Sequence, residues 1–384
     1  MRMMKNSKER RTALEQKLGV ELPHIGNFSL DEAVAGSRNC ENMIGAIQIP
    51  VGIAGPLRLH HLRGSNPSAY MIPLATTEGA LVASVNRGIK AITESGGATV
   101  HSHKLGASRG PVFKVQSMAD RTNLFDFLNA HFQDLKTVTE QTSHHLTLKK
   151  VHSRGVGLYQ FVRFVYDTED AMGLNMVTIA TEAAVRYIEE QTGATCVALS
   201  GNYCVDKKAS WQNVVTGRGT EVWAEVVLPE DVINRVLKTT AKEVYETWLA
   251  KCMLGSAVSG SIGFNAQYAN IVAALFLATG QDPAHVVEGS IGITTAEVRG
   301  VDLYVSVFLP DLMVGTVGGG TGLATQKESL EILGVFGGAS GGHARTLAEI
   351  TAGVVLAGEV SLLSSLAEGS LARAHKTLGR GKLS

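Results

Sequence analysis

The stretch LGSAVSGSIGFNAQYANIVAALFLATGQ occupies residues 254–281 and contains no charged side chain. Lys251 stands just before it and Asp282 just after it. Small residues crowd its first half and larger apolar residues fill the second, which is compatible with a helix that is apolar nearly all round and therefore buried. Gly280 can end such a helix. We therefore predict a central core helix here, with Asp282 at the mouth of the core.

A membrane span is the alternative interpretation of this stretch. Such a span needs about 20 mainly apolar residues, whereas only residues 271–278 are continuously apolar, and Asn265, Gln267 and Asn270 interrupt the part before them. The N-terminal sequence MRMMKNSKERRTALEQK is charged and lacks the apolar region of a signal peptide. The sequence thus predicts a soluble protein with no membrane partner.

The composition excludes several classes of function. The 384 residues include 35 Lys plus Arg and 35 Asp plus Glu, so there is no basic excess of the kind that binds nucleic acid. Cys40, Cys196, Cys204 and Cys252 show no C-x-x-C spacing, which predicts neither a metal site nor a disulfide framework. Free thiols fit a cytoplasmic location. With 45% hydrophobic residues, the chain can bury a large core.

The order of elements predicts an α+β fold with an inserted domain. Between residues 111 and 198 we expect a strand at 112–115, a helix at 120–132, hairpin strands at 146–151 and 158–166, a helix at 170–191 and a strand at 196–199. This β-α-β-β-α-β order is that of a ferredoxin-like unit. Core-type sequence resumes afterwards. The predicted domains are a small N-terminal helical region (1–48), a large domain (49–110 and 199–384) and an inserted small domain (111–198).

Outside the inserted block the sequence predicts five further helices. They cover residues 7–18, a segment that starts with Ser29 as its cap, and residues 80–93, 229–249 and 344–378. Thr76 or Thr77 is the expected cap of the helix at 80–93. Glu78 would then lie in its first turn, where the helix dipole favours a carboxylate, so a capping role alone could explain this residue.

Two glycine-containing turns are candidates for phosphate binding. The sequence DAMGLNM (residues 170–176) lies where a strand is expected to lead into a helix, and free amides at a helix N-terminus bind anions. Gly318-Gly319-Gly320 follows another strand. Neither is a GxGxxG motif or a P-loop, and a structural turn explains each equally well. The residues alone thus favour a nucleotide-using enzyme without identifying its reaction.

Six sequence blocks, in order, resemble those of 3-hydroxy-3-methylglutaryl-coenzyme A (HMG-CoA) reductases. The similarity covers the chain from about residue 30 onwards, and it is greater to the branch with the archaeal and eukaryotic (class I) enzymes than to the degradative bacterial branch. We expect no membrane anchor of the animal and fungal type. The blocks are ENMIGAIQIPVGIAGPL (41–57), TTEGALVASVNRG (76–88), DAMGLNM (170–176), SGNYCVDKK (200–208), GQD (280–282) and GTVGGGT (315–321).

The resemblance implies a reaction and four catalytic residues. The family reduces (S)-HMG-CoA to (R)-mevalonate and CoA with two NAD(P)H, through a hemithioacetal and an aldehyde. Lys207 matches the lysine that stabilises the oxyanion. Glu78 matches the proton donor, and Asp282 matches an aspartate bonded to both. His375 matches the histidine that protonates the departing thiolate from a C-terminal helical flap.

The resemblance also implies binding residues and partners. It places subunits in a homodimer, or a dimer of dimers, with shared active sites. The residues matched to HMG-CoA contacts are Asn86, Arg87, Arg109, Ser200, Lys208, Lys251 and Asn270. Those matched to the dinucleotide site are Asp170, Ala171, Met172, Gly173, Asn175, Gly318, Gly319, Gly320 and Thr321.

Three departures from the family pattern affect specificity. Ala46 stands where an aromatic residue is frequent, and Gln267 stands where histidine is usual. Residues 166–169 (YDTE) are more acidic than in the animal enzymes. An acidic residue near the ribose suits NADH, but archaeal relatives with a similar stretch look NADP-dependent, so we expect NADPH with NADH as the alternative.

Two other kinds of protein remain as rivals. One is a CoA-thioester hydrolase or acyltransferase with Cys204 or Ser200 as nucleophile, which requires a histidine base within reach. The other is a catalytically inactive binding protein, against which the joint presence of the four matched catalytic residues argues.

Overall fold

The structure is a computed structural model that describes residues 6–63 and 67–369. His375 and the predicted flap lie outside the described residues. The strands within them are β1 (Val51–His61), β2 (Ser68–Ala75), β3 (Ala98–Arg109), β4 (Val112–Lys114), β5 (Thr147–Val156), β6 (Tyr159–Asp167), β7 (Thr195–Ala198), β8 (Arg218–Leu228), β9 (Ile293–Arg299) and β10 (Asp302–Leu312).

The helices divide into long ones that form layers and short ones that make turns. The α-helices are α1 (Ser7–Leu18), α2 (Glu32–Arg38), α3 (Leu81–Glu94), α4 (Met118–Ala130), α5 (Phe132–Glu140), α6 (Leu174–Thr192), α7 (Trp211–Thr216), α8 (Glu230–Val232), α9 (Ala241–Trp248), α10 (Ser256–Ser259), α11 (Tyr268–Thr279), α12 (Val286–Gly289), α13 (Ala324–Ile332) and α14 (Gly342–Glu368). π-Helical turns cover Ile233–Leu237 and Leu249–Gly255, and 3₁₀ turns cover Pro283–His285 and Gly319–Gly322.

Two sheets share one long strand. The larger sheet has the order β2-β1-β3-β8-β10-β9, antiparallel except between β1 and β3. The last residues of β3 pair with β6, which belongs to a second, antiparallel sheet of order β7-β4-β6-β5. That order confirms the predicted β-α-β-β-α-β arrangement. Two helices, α4 and α5, stand where one was predicted, because the backbone leaves the helical region at His131 (φ −104°, ψ 28°).

The helix predicted over residues 254–281 is only half correct. Gly260, with φ +70°, ends α10, and α11 begins only at Tyr268. Between them the Glu359 carboxylate accepts hydrogen bonds from the amides of Ala266 and Gln267, so a side chain replaces the missing helical carbonyls. The predicted end is confirmed, since Gly280 adopts φ +70° after α11.

The long central helix of the large core is α14. Residues 347–361 are all buried, and α14 packs against α3, β8, α9, α11 and β10. It is long and apolar enough to cross a membrane, but 83% of its most apolar window is buried inside the protein. At Gly88 in α3 a side chain would collide with the carbonyl of Ala357, which explains how the backbones of α3 and α14 lie so close.

Several boundaries differ from prediction for local reasons. The helix expected from Ser29 begins at Glu32, because Asp31 caps it. The helix expected at 229–249 breaks at Lys238, which has φ +60°, and restarts behind a capping box. The helix α3 begins after Ala80 (φ +73°) without a side-chain cap, so Glu78 lies in the preceding turn and not in the first helical turn. Strands β3 and β9 were not predicted.

Candidate active site

A cavity of about 840 Å³ opens where the two sheets meet, beside the N-terminus of α6. Its wall brings together residues that lie far apart in the sequence, in the DAMGLNM, SGNYCVDKK, GQD and GTVGGGT blocks. Gln281, Asp206, Arg38 and Asn39 also line it. The predicted residues in its wall are Arg109, Ala171, Met172, Gly173, Asn175, Lys207, Asp282, Gly318, Gly319, Gly320 and Thr321.

The two glycine turns lie side by side in this wall. Ala171 forms a parallel bridge with Val317, and the Thr316 amide donates to the Asp170 carbonyl at 2.8 Å. A Cβ at Gly315 would meet the backbone of residues 170–172, so glycine is required there for the two turns to approach each other. Gly173 (φ +79°) precedes α6 and provides no side-chain cap, which leaves the first amides of α6 available to an anion.

Asp170 contributes backbone to the site, while its side chain points elsewhere. Its buried carboxylate accepts hydrogen bonds from the amides of Ala339, Gly341 and Ala344 at 2.5, 2.7 and 2.8 Å, and so caps the start of α14. Burial by itself would raise the pKa of Asp170, but these amides and the nearby His343 outweigh it and lower the pKa below its ordinary value.

Lys207 and Asp282 form an ion pair, with Nζ 2.6 Å from Oδ2 and each side chain about one-third exposed. Asp282 precedes the 3₁₀ turn that begins at Pro283, and its other oxygen accepts from the Ala284 amide at 3.0 Å. Burial opposes ionisation of Asp282, but Lys207, the Ala284 amide and the charge of His285 prevail and lower its pKa. The pair is therefore a carboxylate holding a lysine cation at the cavity surface.

A buried cluster of charged side chains, which sequence reasoning missed, lies beneath the ion pair. Arg218 is fully buried and donates to Glu288 Oε1 at 3.1 Å and to Asp206 Oδ1 at 2.8 Å. His285 Nδ1 lies 2.5 Å from the same Glu288 oxygen. The i, i+3 spacing of Asp282, His285 and Glu288 in DPAHVVE was the available signal, since it places the three side chains on one side of a helical turn.

Two more buried charged residues extend this cluster. Arg163 donates to Thr216 Oγ1 at 2.8 Å and to the Gly217 carbonyl at 2.9 Å. Asp311 lies opposite Arg218 in the β8–β10 ladder, and its carboxyl oxygens have no hydrogen-bond partner in the described part of the chain. Burial raises the pKa of Asp311 well above its usual range, against the opposing charge of Arg218. Burial thus favours the neutral form of the Asp311 carboxyl group.

The cluster contains three groups of the kind that bind metals. One ligand atom each from Asp206, His285 and Glu288 lies within 4.8 Å of the others. However, the guanidinium of Arg218 already contacts two of these residues, so a cation is present among the carboxylates. The arrangement therefore fits a fixed ion cluster and not a metal centre.

Other predicted residues lie outside this cavity. Arg87 donates to the Ser361 hydroxyl and carbonyl on α14, and Asn86 Oδ1 accepts from the Gly55 amide at 3.0 Å. The cavity wall does not include Asn270, Lys251 or Glu78 either. No hydrogen bond or ion pair of the exposed Glu78 carboxylate occurs among the described residues. The structure thus separates the matched residues into two groups.

The remaining matched residues flank the cavity without lining it. The Lys208 ammonium donates to the Asp206 carbonyl at 3.2 Å. The Ser200 hydroxyl lies 3.7 Å from the Cys204 sulfur, and Cys204 is buried. No histidine is hydrogen-bonded to either group among residues 6–63 and 67–369, so these residues offer no base for the hydrolase alternative. Gln267 Nε2 donates to the Gly358 carbonyl at 2.7 Å.

Gln281 is another site residue that the prediction did not single out. Its amide nitrogen donates to the Gly315 carbonyl at 2.9 Å, and its amide oxygen accepts from the Gly315 amide at 2.9 Å. The side chain thereby fixes the strand that leads into the Gly318–Thr321 turn. Its position directly before Asp282 in the GQD block was the only sequence signal.

Comparison with known proteins gives a consistent result. A family profile described as "Hydroxymethylglutaryl-coenzyme A reductase" matches residues 6–380. The 3-hydroxy-3-methylglutaryl-coenzyme A reductase of Methanothermobacter thermautotrophicus is 50% identical over 374 residues, covering 97% of this chain and 93% of that protein. That of Methanocaldococcus jannaschii is 51% identical over 379 residues, covering 97% and 92%.

More distant relatives extend the comparison. Reductase 1 of Dictyostelium discoideum is 42% identical over 382 residues, covering 97% of this chain and 68% of that protein. The solved class II reductase of Streptococcus pneumoniae bound to NADPH shares the fold, with a TM-score of 0.69, 20% identity and coverage of 94% and 97%. Because the profile and the archaeal relatives span almost its whole length, the chain belongs to the hydroxymethylglutaryl-coenzyme A reductase family.

Proposed function

We propose that Lys207, Asp282 and Glu78 carry out the reduction of HMG-CoA in this protein. Membership of the family makes the chain an oxidoreductase of the mevalonate pathway that uses a nicotinamide cofactor; the assignment of residues to steps is the proposal. The observation that carries it is the Lys207–Asp282 pair, 2.6 Å apart in the wall of the same cavity as the two glycine turns.

The chemistry requires a positive charge at the carbonyl oxygen. A bound nicotinamide supplies the hydride, and negative charge then develops on the former carbonyl oxygen of the thioester and later of the aldehyde. The Lys207 ammonium stabilises that charge. Asp282, kept ionised by its lowered pKa, orients the ammonium through the 2.6 Å ion pair. Glu78 supplies the proton, and His375 protonates the departing CoA thiolate.

The dinucleotide fits the wall formed by the two glycine turns. The uncapped amides at the start of α6 face the cavity and suit a pyrophosphate. The acidic stretch before them is paired, since Asp167 lies 2.7 Å from Lys104 and 3.7 Å from Lys149. Because this pairing removes its net negative charge, we expect NADPH to be preferred to NADH. The unit at 111–198 is then the dinucleotide-binding domain, inserted between 49–110 and 199–384.

Assembly as a homodimer, or a dimer of dimers, would complete the site. The matched residues form two groups on one chain, and Glu78 belongs to the group that does not line the Lys207 cavity. A two-fold axis can bring the second group of one subunit to the first group of another, because an isologous interface uses the same surfaces twice. HMG-CoA would then bind between the two groups of matched residues. We expect the enzyme to be in the cytoplasm.

The test is to follow oxidation of NADPH with HMG-CoA as substrate in the wild type and in Lys207→Met. Methionine keeps most of the side-chain volume and removes the charge, so we expect kcat to fall about 100- to 1,000-fold with folding unchanged. A fully active Lys207→Met protein would refute the assignment. CoA release by the wild type without NADPH oxidation would instead favour a thioester hydrolase.

A further inference from the structure

One carboxylate oxygen links both members of the Lys207–Asp282 pair to the buried cluster. Glu288 Oε1 accepts hydrogen bonds from three donors: the Lys207 backbone amide at 3.2 Å, His285 Nδ1 at 2.5 Å and Arg218 Nη1 at 3.1 Å. Glu288 and His285 are fully buried.

On the lysine side, this oxygen holds a strained turn. Val205 and Lys207 have φ values of +54° and +56°, which L-residues rarely adopt. Such conformations persist only where the surroundings impose them, and they concentrate at functional sites. Glu288 accepts from the amide of Lys207 itself, so it fixes the point from which the lysine side chain projects into the cavity.

On the aspartate side, the connection runs through His285. Its Nε2 lies 3.8 Å from Asp282 Oδ2 and 3.9 Å from Asp206 Oδ1, between the two carboxylates, and it has no hydrogen-bond partner among the described residues. A carboxylate accepts, so Nδ1 donates to Glu288 and the ring orientation is fixed. The ring thus limits where the Asp282 carboxylate can move when it pairs with Lys207.

We propose that Glu288 is a positioning residue for the reduction, which through Lys207 and His285 sets the distance and orientation of the Lys207–Asp282 pair. This inference rests on the proposed function, because it assumes that the pair carries the chemistry. Arg218 pairs with both Glu288 and Asp206, and its positive charge reduces the repulsion between these two carboxylates and Asp282. Misplacing a preorganised charge by a fraction of an ångström weakens it where negative charge develops.

The chain offers a matched control for the loss of a buried charge. Glu349 on α14 is also buried and pairs with a histidine, His61, at 2.5 Å, and it accepts from the Ser102 hydroxyl at 2.6 Å. It does not line the cavity. Glu349→Gln therefore reproduces the cost of removing a buried carboxylate of this kind, but leaves the ion pair intact.

The experiment compares Glu288→Gln with Glu349→Gln in the full-length enzyme. For Glu288→Gln we expect kcat per folded molecule to fall about 10- to 100-fold, the range for lost outer-shell partners, while KM for HMG-CoA and NADPH stays within about twofold. The primary isotope effect with NADPH deuterated at the transferred position should increase, because hydride transfer becomes slower. Glu349→Gln should lose stability only, with kcat and isotope effect unchanged.

Three outcomes would overturn the proposal. They are a folded Glu288→Gln enzyme with wild-type kcat and isotope effect, an equal fall in kcat for Glu349→Gln, and a Glu288→Gln defect confined to KM. If Glu288→Gln does not fold, His285→Asn replaces it: the shorter side chain keeps a donor for Glu288 but no longer reaches Asp282, and wild-type kcat would refute the proposal. Lys207→Met is assayed in parallel, because full activity there refutes the proposed function itself.

Discussion

The residues matched to the family's active site lie in two regions, the cavity region around Lys207 and the α3–α14 region around Glu78. The two regions differ in whether their charged side chain is paired within the chain. In the cavity region, Lys207 already has its carboxylate, and buried ions lie beneath the pair. In the α3–α14 region, Arg87 and Asn86 are bonded to the scaffold, while the Glu78 carboxylate is exposed and has no partner among the described residues.

This difference teaches which part of the site one chain can build alone. A preorganised cation needs nearby fixed counter-charges, and residues 206–288 supply them within the fold. A proton donor must instead reach its target in the assembled enzyme. The α3–α14 region is closely packed, but the Glu78 carboxylate has no partner among the described residues, so we infer that its partner group is on another subunit. The following predictions test that division.

The largest expected effect is restoration of activity on mixing two inactive variants. We expect Glu78→Gln and Lys207→Met each to inactivate the enzyme, and we expect the enzyme to be a homodimer. In a mixed dimer one of the two sites is fully wild type if Glu78 and Lys207 come from different chains, so random exchange should restore about one quarter of wild-type activity. The measurement is NADPH oxidation after co-refolding or co-expression of the two variants.

A matched mixture serves as control. Lys207→Met mixed with Asp282→Asn should regain nothing, because these two residues pair within one chain and every site of the mixed dimer lacks one of them. If the mixture of Glu78→Gln and Lys207→Met regains no activity, each active site takes Glu78 and Lys207 from the same subunit. The two regions would then not belong to sites shared between subunits.

The next effect concerns Asp170, whose side chain ties the cavity region to α14. Asp170→Asn should lower the free energy of unfolding by about 2 kcal/mol at pH 7, because a charged acceptor is lost from three amides. The pKa of Asp170 is lowered in the folded protein. Its contribution is therefore complete above the unfolded pKa, about 4, and disappears as the pH falls through the folded value.

Urea unfolding of both proteins between pH 7 and pH 3 measures this difference. We expect the gap between wild type and Asp170→Asn to narrow in acid. A gap that stays constant with pH would mean that the hydrogen bonds do not depend on the charge of Asp170, and a gap that widens would contradict its lowered pKa.

The smallest expected effect is on the stability of Asp282→Asn. The Lys207–Asp282 pair is about one-third exposed, and ion pairs of that kind contribute only about 0–1 kcal/mol. Calorimetry should therefore give nearly the wild-type melting temperature, although activity is lost. A large loss of stability would mean that the Lys207–Asp282 pair holds the fold together, as the buried Arg218 cluster does, and would contradict this prediction.

The sequence predicted the elements whose signals are local. The residue pattern and the turn-forming residues were enough to predict the β-α-β-β-α-β block, the end of α11 at Gly280 and helix α1. The prediction failed where tertiary contacts replace local ones. Residues 260–267 lie within the predicted helix, but Glu359, far along the chain, accepts from the amides of Ala266 and Gln267 and holds a loop there.

The same reasoning explains what could be known of the site. Lys207 and Asp282 were found through resemblance, and the structure brings them together. The i, i+3 spacing of Asp282, His285 and Glu288 was a signal for part of the buried cluster. Arg218 and Asp311 had no such signal, because charged residues in an unaligned sequence look like surface residues until burial is known. Asp170 was matched to the dinucleotide site, but only the structure shows that its carboxylate caps α14.

The position of α14 in the chain has a consequence for how the protein is made. This helix fills the centre of the large core, between α3, β8 and β10, yet it follows all three of these elements in the chain. Domains usually begin to fold during synthesis, from the N-terminal side. Here α14 cannot cover its part of β3, β8 and β10 until residue 368 has left the ribosome, so the nascent chain depends on protection from aggregation up to that point.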